Sequence, residues 1–180
     1  DLMVFNTYIV EPVLRQVGQR WEMGEISVAQ EHMITDMITR LMIRFEQEIQ
    51  SSSSKVKPLT VALMVTGAEE HEMPLRMIEA VFCHHGWMSY YLGRNLPVSS
   101  LETFLRQNKI DVLALSVTLS NHLNSCELLI RAVKAMQLSD NPKIMVGGHA
   151  VRNSEIALNQ LGADLYFESQ IALHEGLDDL

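Results

Sequence analysis

Cysteine is nearly absent from this chain, with only Cys83 and Cys126 among 180 residues. Two thiols do not make a disulfide scaffold, so the expected setting is a reducing cytoplasm. Positive charge is also short: 14 Lys and Arg stand against 22 Asp and Glu, a net charge of −8. A segment that grips a nucleic-acid backbone needs a basic face, and this composition argues against one. No apolar run approaches the ~18 residues of a membrane span. The opening residues carry no signal-peptide pattern. What is present is 47% hydrophobic and 20% charged, the make-up of a packed protein rather than a disordered one. At about 150 residues per domain, the length allows one domain or two small ones.

The composition breaks at Ser51-Ser52-Ser53-Ser54-Lys55-Val56-Lys57-Pro58, a polar stretch that reads as a linker. It separates an expected helical cap (1–50) from an α/β domain (59–180). In the first part a helix is expected from about Leu2 to Trp21, ending near Gly24. A second follows, with Ile34, Met37, Ile38, Leu41, Met42, Phe45 and Ile49 at three- and four-residue steps. Ser27-Val28-Ala29-Gln30 marks its start as a capping box. Two helices bury their apolar faces poorly alone, which points to further helices or a partner surface.

Beyond the linker, continuous apolar runs alternate with helical patterns. Strands are expected at Leu59–Thr66, Met88–Leu92, Val112–Val117, Ile144–Val146 and Leu165–Phe167. Helices are expected near Pro74–His85, Ser99–Gln107, Asn121–Met136 and Asn153–Gln160, with one more after the fifth strand. This alternation predicts a flavodoxin-like parallel sheet with helices on both faces. Such sheets bind ligands at the carboxyl ends of their strands, so Gly67–His71, Gly93–Asn95, Ser116–Asn121 and Gly147–His149 are the segments to watch.

The first of these reads Gly67-Ala68-Glu69-Glu70-His71-Glu72-Met73-Pro74. A histidine beside carboxylates can bind a metal through one ring nitrogen and be oriented through the other, with Glu69 the candidate orienter. A solvated loop histidine is the plain alternative. Ser116 and Thr118 offer hydroxyls to a ligand or to the cap of the next helix. Gly147-Gly148 allows close approach of a ligand or a tight turn. Cys83, His84, His85, His122 and Cys126 fit no usual structural-zinc spacing.

Taken together, these segments resemble the cobalamin-binding domain of methionine synthase and its relatives. That pattern is Asp-x-His-x-x-Gly, then Ser-x-Leu, then Gly-Gly. Here Glu69–Pro74 takes the first place. Residues 75–115, 41 in number, precede Ser116-Val117-Thr118, and residues 119–146, 28 in number, precede Gly147-Gly148. The resemblance implies that His71 is the lower axial ligand of cobalt, hydrogen-bonded through its other nitrogen to Glu69. It implies that Ser116, Thr118, Gly147 and Gly148 line the channel for the dimethylbenzimidazole tail. Glu69 replaces aspartate, Thr118 replaces leucine and Pro74 replaces glycine.

The helical part adds Trp21, nine residues, then Glu31-His32, with Val28 between them. This is similar to the Trp-x9-Glu-His pattern of CarH-like photoreceptors, transcriptional regulators that use adenosylcobalamin. Val28, Glu31 and His32 share a helix face. The resemblance implies that Trp21, Val28, Glu31 and His32 cover the adenosyl-bearing face of the corrin. A core tryptophan beside a solvated Glu-His pair is the other reading. Glu22 stands where that family has the histidine that ligates cobalt after photolysis, so the resemblance does not imply the same bis-histidine photoproduct from this position, and a second chromophore such as a bilin stays open.

The implied protein is a non-enzymatic sensor, with light breaking the Co–C bond. It would assemble as a homo-oligomer and reach DNA only through a domain outside this chain. A corrinoid carrier for methyl transfer is the alternative, and a flavodoxin-like domain without cobalt leaves the three-part spacing unexplained.

Overall fold

The computed structural model describes residues 2–50, 57–152 and 158–177. The chain divides into two compact units, Asp1–Ser54 and Lys55–Leu180. Residues 51–56 of the expected linker lie outside the described residues.

The helical unit opens with α1 (Leu2–Phe5), a π-turn over Asn6–Val10, and α2 (Glu11–Glu22). The helix expected from Leu2 is therefore present, but its hydrogen-bond ladder widens by one residue near its start. Gly24, with φ +71°, follows the end of α2. The capping box forms as expected: Ser27 N–H donates to Gln30 Oε1 at 2.8 Å, and Gln30 N–H donates to Ser27 Oγ at 3.3 Å. It starts α3 (Val28–Gln50). Met3, Val10, Val17 and Met42 are buried, and the Phe5 and Phe45 rings lie 5.0 Å apart. The periodic stripe of α3 turns inward only in part. Ile34 and Ile38 are half-buried, whereas Met37, Leu41 and Phe45 stay exposed. The Ile49 side chain lies outside the described residues.

The α/β unit holds five strands: β1 (Thr60–Val65), β2 (Met88–Gly93), β3 (Val112–Ser116), β4 (Lys143–Gly147) and β5 (Leu165–Phe167). All pair in parallel, in the order β2-β1-β3-β4-β5, the flavodoxin-like order. β1, β3 and β4 are almost wholly buried, as their unbroken apolar runs require of a sheet covered on both faces. The covering helices are α4 (Met73–His84), α5 (Val98–Gln107), α6 (Leu123–Lys134), α7 (His149–Arg152), α8 (Leu158–Leu161) and α9 (Gln170–Gly176). Leu113, Leu115, Val117, Cys126, Ile130 and Val146 are among the core residues.

Two boundaries differ from expectation. A 3-10 turn, Ser120–His122, precedes α6. The helix expected near Asn153–Gln160 instead begins at His149, directly behind Gly148, and reappears at Leu158; residues 153–157 lie outside the described residues. Among the described residues, no helix is long and apolar enough to cross a membrane.

Candidate functional site

Strand register assembles the site. Val65 of β1 is opposite Ser116 of β3, and Ser116 is opposite Gly147 of β4. Three connections separated in sequence therefore leave the sheet side by side, at the edge where the chain reverses its order. Val117 N–H donates to Gly147 O at 3.0 Å, which extends this alignment past the last paired residues.

After β1 the chain turns at Gly67, and Glu69 N–H donates to Thr66 O at 3.2 Å. This folds the Glu69 side chain inward, where it is fully buried. A buried carboxylate must be paired and hydrogen-bonded. Oε1 accepts from His71 N–H at 3.1 Å and holds the Nδ1 side of the His71 ring. Oε2 accepts from Thr118 N–H and Leu119 N–H, each at 3.0 Å, and faces His122 Nδ1 at 3.1 Å. Burial pushes this carboxyl group's pKa up. The hydrogen bonds from the His71 side chain, the Leu119 and His71 backbone and the His122 side chain outweigh it, and bring the pKa down to about 2. Glu69 is therefore ionised at neutral pH and can only accept, so His71 Nδ1 is the donor. With Nδ1 engaged, any metal ligation by this ring would go through Nε2, and 53% of the side chain's surface is accessible.

The loop is tied at its far end as well. Glu72 accepts from Tyr91 Oη at 2.9 Å and pairs with Arg94 Nε at 3.0 Å. The Arg76 guanidinium lies 4.2 Å over the Tyr91 ring. Pro74, where the resembling pattern has glycine, sits in the first turn of α4 and loses no helical hydrogen bond there.

The other expected residues of this unit fall at the same strand ends. Ser116 is buried at the end of β3. Neither the 3-10 turn nor α6 is capped by a side chain, so capping does not account for the Ser116 and Thr118 hydroxyls. Thr118 Oγ1 is buried with no hydrogen-bond partner among the described residues, and so is Thr66 Oγ1. Such orphaned groups call for a ligand or water. A Cβ on Gly147 would lie 2.2 Å from the Phe167 ring, and one on Gly148, at φ +112°, 2.3 Å from Val117 O. The chain's own packing thus already demands both glycines.

The zinc-like residues disperse. Cys126 is fully buried, and burial pushes its thiol up to about 12. His122 turns to Glu69, and His85 Nε2 lies 2.7 Å from His174 Nδ1. Sequence reading passed over His122 as part of this site. It falls one residue beyond the Ser116–Asn121 segment, and its partner is 53 positions away.

In the helical unit, Trp21 lies in the last turn of α2, with Glu22 as its final residue; Val28, Glu31 and His32 lie in the first turns of α3. All flank the short connection over residues 23–27. Trp21 is 48% exposed and Val28 52%, so Trp21 is not a core tryptophan. Glu31 Oε2 holds His32 Nδ1 at 2.5 Å, and Glu31 Oε1 accepts from Thr35 Oγ1 at 2.9 Å.

Residues 59–173 match the B12 binding domain family, and residues 7–46 match a second B12 binding domain model. The chain belongs to the B12-binding domain family. Among curated proteins it is 25% identical over 158 residues to the HTH-type transcriptional repressor CarH of Myxococcus xanthus, covering 88% of this chain and 51% of the repressor. It is 20% identical to dimethylamine corrinoid protein 1 of Methanosarcina acetivorans, covering 87% of this chain and 72% of that one. The chain thus spans about half the length of the repressor and somewhat more of the corrinoid protein. Among solved structures, the Methanosarcina barkeri monomethylamine corrinoid protein superposes with a TM-score of 0.79 at 20% identity, over 100% of this chain and 84% of that one.

The residues present fit a cobalt corrinoid. A histidine oriented by a buried carboxylate is suited to an axial cobalt bond, and the orphaned Thr66 and Thr118 hydroxyls beside it are suited to polar groups of the same ligand.

Proposed function

We propose that this B12-binding chain is the adenosylcobalamin-binding sensory part of a light-responsive regulator. When bound, adenosylcobalamin supplies a Co–C bond that light breaks. His71 would ligate cobalt through Nε2, with Glu69 fixing the ring. Ser116, Thr118, Gly147 and Gly148 would line the path of the nucleotide tail. Trp21, Val28, Glu31 and His32 would serve the adenosyl group.

The observation that carries this reading is the exposure of Trp21 and Val28 on either side of one turn, with the Glu31–His32 pair on the same helix as Val28. An indole left open to solvent offers a large flat surface on which a ligand ring can stack. Stacking on an adenine ring uses such a surface, whereas a methyl group has no need of it. The 25% identity to the repressor CarH supports the same choice.

In this reading the chain signals rather than turns over substrate. Its acidic composition leaves DNA contact to a domain outside these residues. Exposed Met33, Met37 and Leu41 of α3 suit self-association, so a light-dependent homo-oligomer is expected. A ligand shifts such an equilibrium only through contacts made in one state, and contacts to the adenosyl group are of that kind.

Glu22 favours a second reading, a corrinoid carrier for methyl transfer, because a carboxylate replaces the histidine expected in a CarH-like photoproduct. One experiment separates the two. The adenosylcobalamin complex is run on a sizing column in the dark and after green light, with detection at cobalamin wavelengths. The sensor reading expects a change of elution volume on illumination, absent in the cobalamin-free protein. An identical elution and an unchanged proteolysis pattern would overturn it in favour of the carrier.

A further inference from the structure

The other edge of the sheet holds a second cluster of imidazoles. α4 starts beside the His71 loop and ends at His84, with His85 as its C-cap. Gly86 and Trp87 then lead into β2, where Met88 N–H donates to Leu59 O at 2.9 Å, at the strands' amino ends. α9 lies against α4: Gln170 Nε2 donates to Met77 Sδ at 3.4 Å, and Leu173 and Leu177 are buried. His174 of α9 meets the end of α4, with His85 Nε2 2.7 Å from its Nδ1. Ring centroids are 5.7 Å apart for His84 and His85, 5.7 Å for His84 and His174, and 4.6 Å for His85 and His174. His84 is exposed and the other two are half-buried, so the cluster opens to solvent. The neighbours of His84 and His85 in sequence take no part in it; its third member lies 89 positions beyond His85.

We propose that His84, His85 and His174 bind one divalent transition-metal ion of the zinc type and so clasp α9 to α4. Neutral imidazole is the commonest protein ligand for such ions, and three of them with water in the fourth position complete a zinc shell. A point equidistant from the three ring centroids lies about 3 Å from each. An ion bound about 2 Å from a ring nitrogen lies about that far from the ring centre, so the spacing of the rings already matches one shared ion. Their orientation is that of the metal-free state. Among the described residues no three such groups converge on one point, and His85 Nε2 and His174 Nδ1 face each other instead. Two ring nitrogens at 2.7 Å share one proton. An ion between them requires about 3.3 Å, so the pair opens by about half an ångström while the exposed His84 ring turns in. The shared proton leaves to solvent, and the ring that carried it takes one up on its other nitrogen. Both rings stay neutral, and the ion's two charges are the only ones added. The site lies apart from His71 and does not depend on what His71 binds.

The test titrates zinc chloride into the full chain, with and without cobalamin, followed by calorimetry and by the ¹⁵N shifts of the histidine rings. Wild type is expected to show a saturable zinc site that cobalamin leaves unchanged. The ring signals of His84, His85 and His174 should move together, and the melting temperature should rise by about 5 °C with zinc well above its Kd. His174→Ala is expected to weaken zinc about 100-fold and to lose the melting shift, since a direct ligand counts for at least what its outer partners do. No saturable binding in wild type, or equal isotherms in wild type and His174→Ala, would overturn the site. Zinc that cobalamin displaces would overturn it as well and put the ion at the His71 end. Ring shifts confined to His85 and His174 would overturn the three-ligand set. The ring shifts are read on wild type, so a folding defect in His174→Ala leaves the test intact.

Discussion

The two units solve opposite problems with similar residues. Each carries an acidic residue hydrogen-bonded to a nearby histidine, Glu69 with His71 and Glu31 with His32. In the α/β unit the carboxylate is fully buried and takes hydrogen bonds from two loops. In the helical unit the pair sits on the first turns of one helix, and His32 is 75% exposed. The first arrangement is fixed by the fold before any ligand arrives. The second is a surface that a ligand has to complete. If His71 ligates cobalt and Trp21 meets the upper group, as proposed, preorganisation belongs to the metal end and selectivity for the upper group to the helical end.

The largest expected effect tests that division at its centre. Glu69→Ala strands the Thr118 and Leu119 N–H groups and the His122 ring, and should cost about 3 kcal/mol or more in urea unfolding of the cobalamin-free protein. The pH dependence follows from the same group. Its folded pKa lies near 2, below the ordinary 4.5, so its contribution is present above pH 4.5 and fades as pH falls toward 2. Glu69→Ala should lack this part of the acid transition. If both proteins share one acid profile and one urea midpoint, the metal end is not preorganised by this carboxylate.

Gly148→Ala should cost about 3 kcal/mol through positive-φ strain and overlap with Val117 O, independently of cobalamin. Equal melting temperatures for variant and wild type would contradict this. His71→Ala inverts the pattern. The side chain is half exposed, so stability should change by about 1 kcal/mol or less, while cobalamin affinity falls about 100-fold or more. Unchanged affinity and absorption spectrum would remove His71 from cobalt. Trp21→Ala should weaken adenosylcobalamin about 10-fold more than methylcobalamin, since only the adenosyl group uses a stacking surface. Equal losses would move the chain toward the methyl carrier. Last, Cys126, buried and with its thiol pushed up to about 12, should resist iodoacetamide at pH 8 until the protein unfolds; labelling of Cys126 in the folded protein would show that this core opens.

The sequence carried the sheet because β1, β3 and β4 are unbroken apolar runs, a pattern that a two-sided parallel sheet imposes. It located Glu69, His71, Ser116 and the glycine pair at the strand ends because they close or follow the apolar runs, while their roles toward a cofactor rest on the resemblance and are proposals. It did not carry His122, whose meaning lies in a contact to Glu69 that only the β1–β3 register creates. Nor did it show the π-turn at Asn6–Val10, since a single widened turn leaves the apolar period nearly intact. The start of α7 was displaced for a related reason. Gly147-Gly148 reads as a break, yet the helix begins at the next residue. Exposure of Trp21 was also invisible, because tryptophan in a helical pattern reads equally as core.

Amide hydrogen exchange, in the dark, with and without adenosylcobalamin, tests the contrast most directly. The amides of His71, Thr118 and Leu119 all donate to Glu69. They should be protected already in the cobalamin-free protein and change little on binding, whereas residues 21–32 should gain protection only with the ligand. Fast exchange at Thr118 and Leu119 in the cobalamin-free protein, slowed by cobalamin, would contradict the account and make the metal end a site built by its ligand.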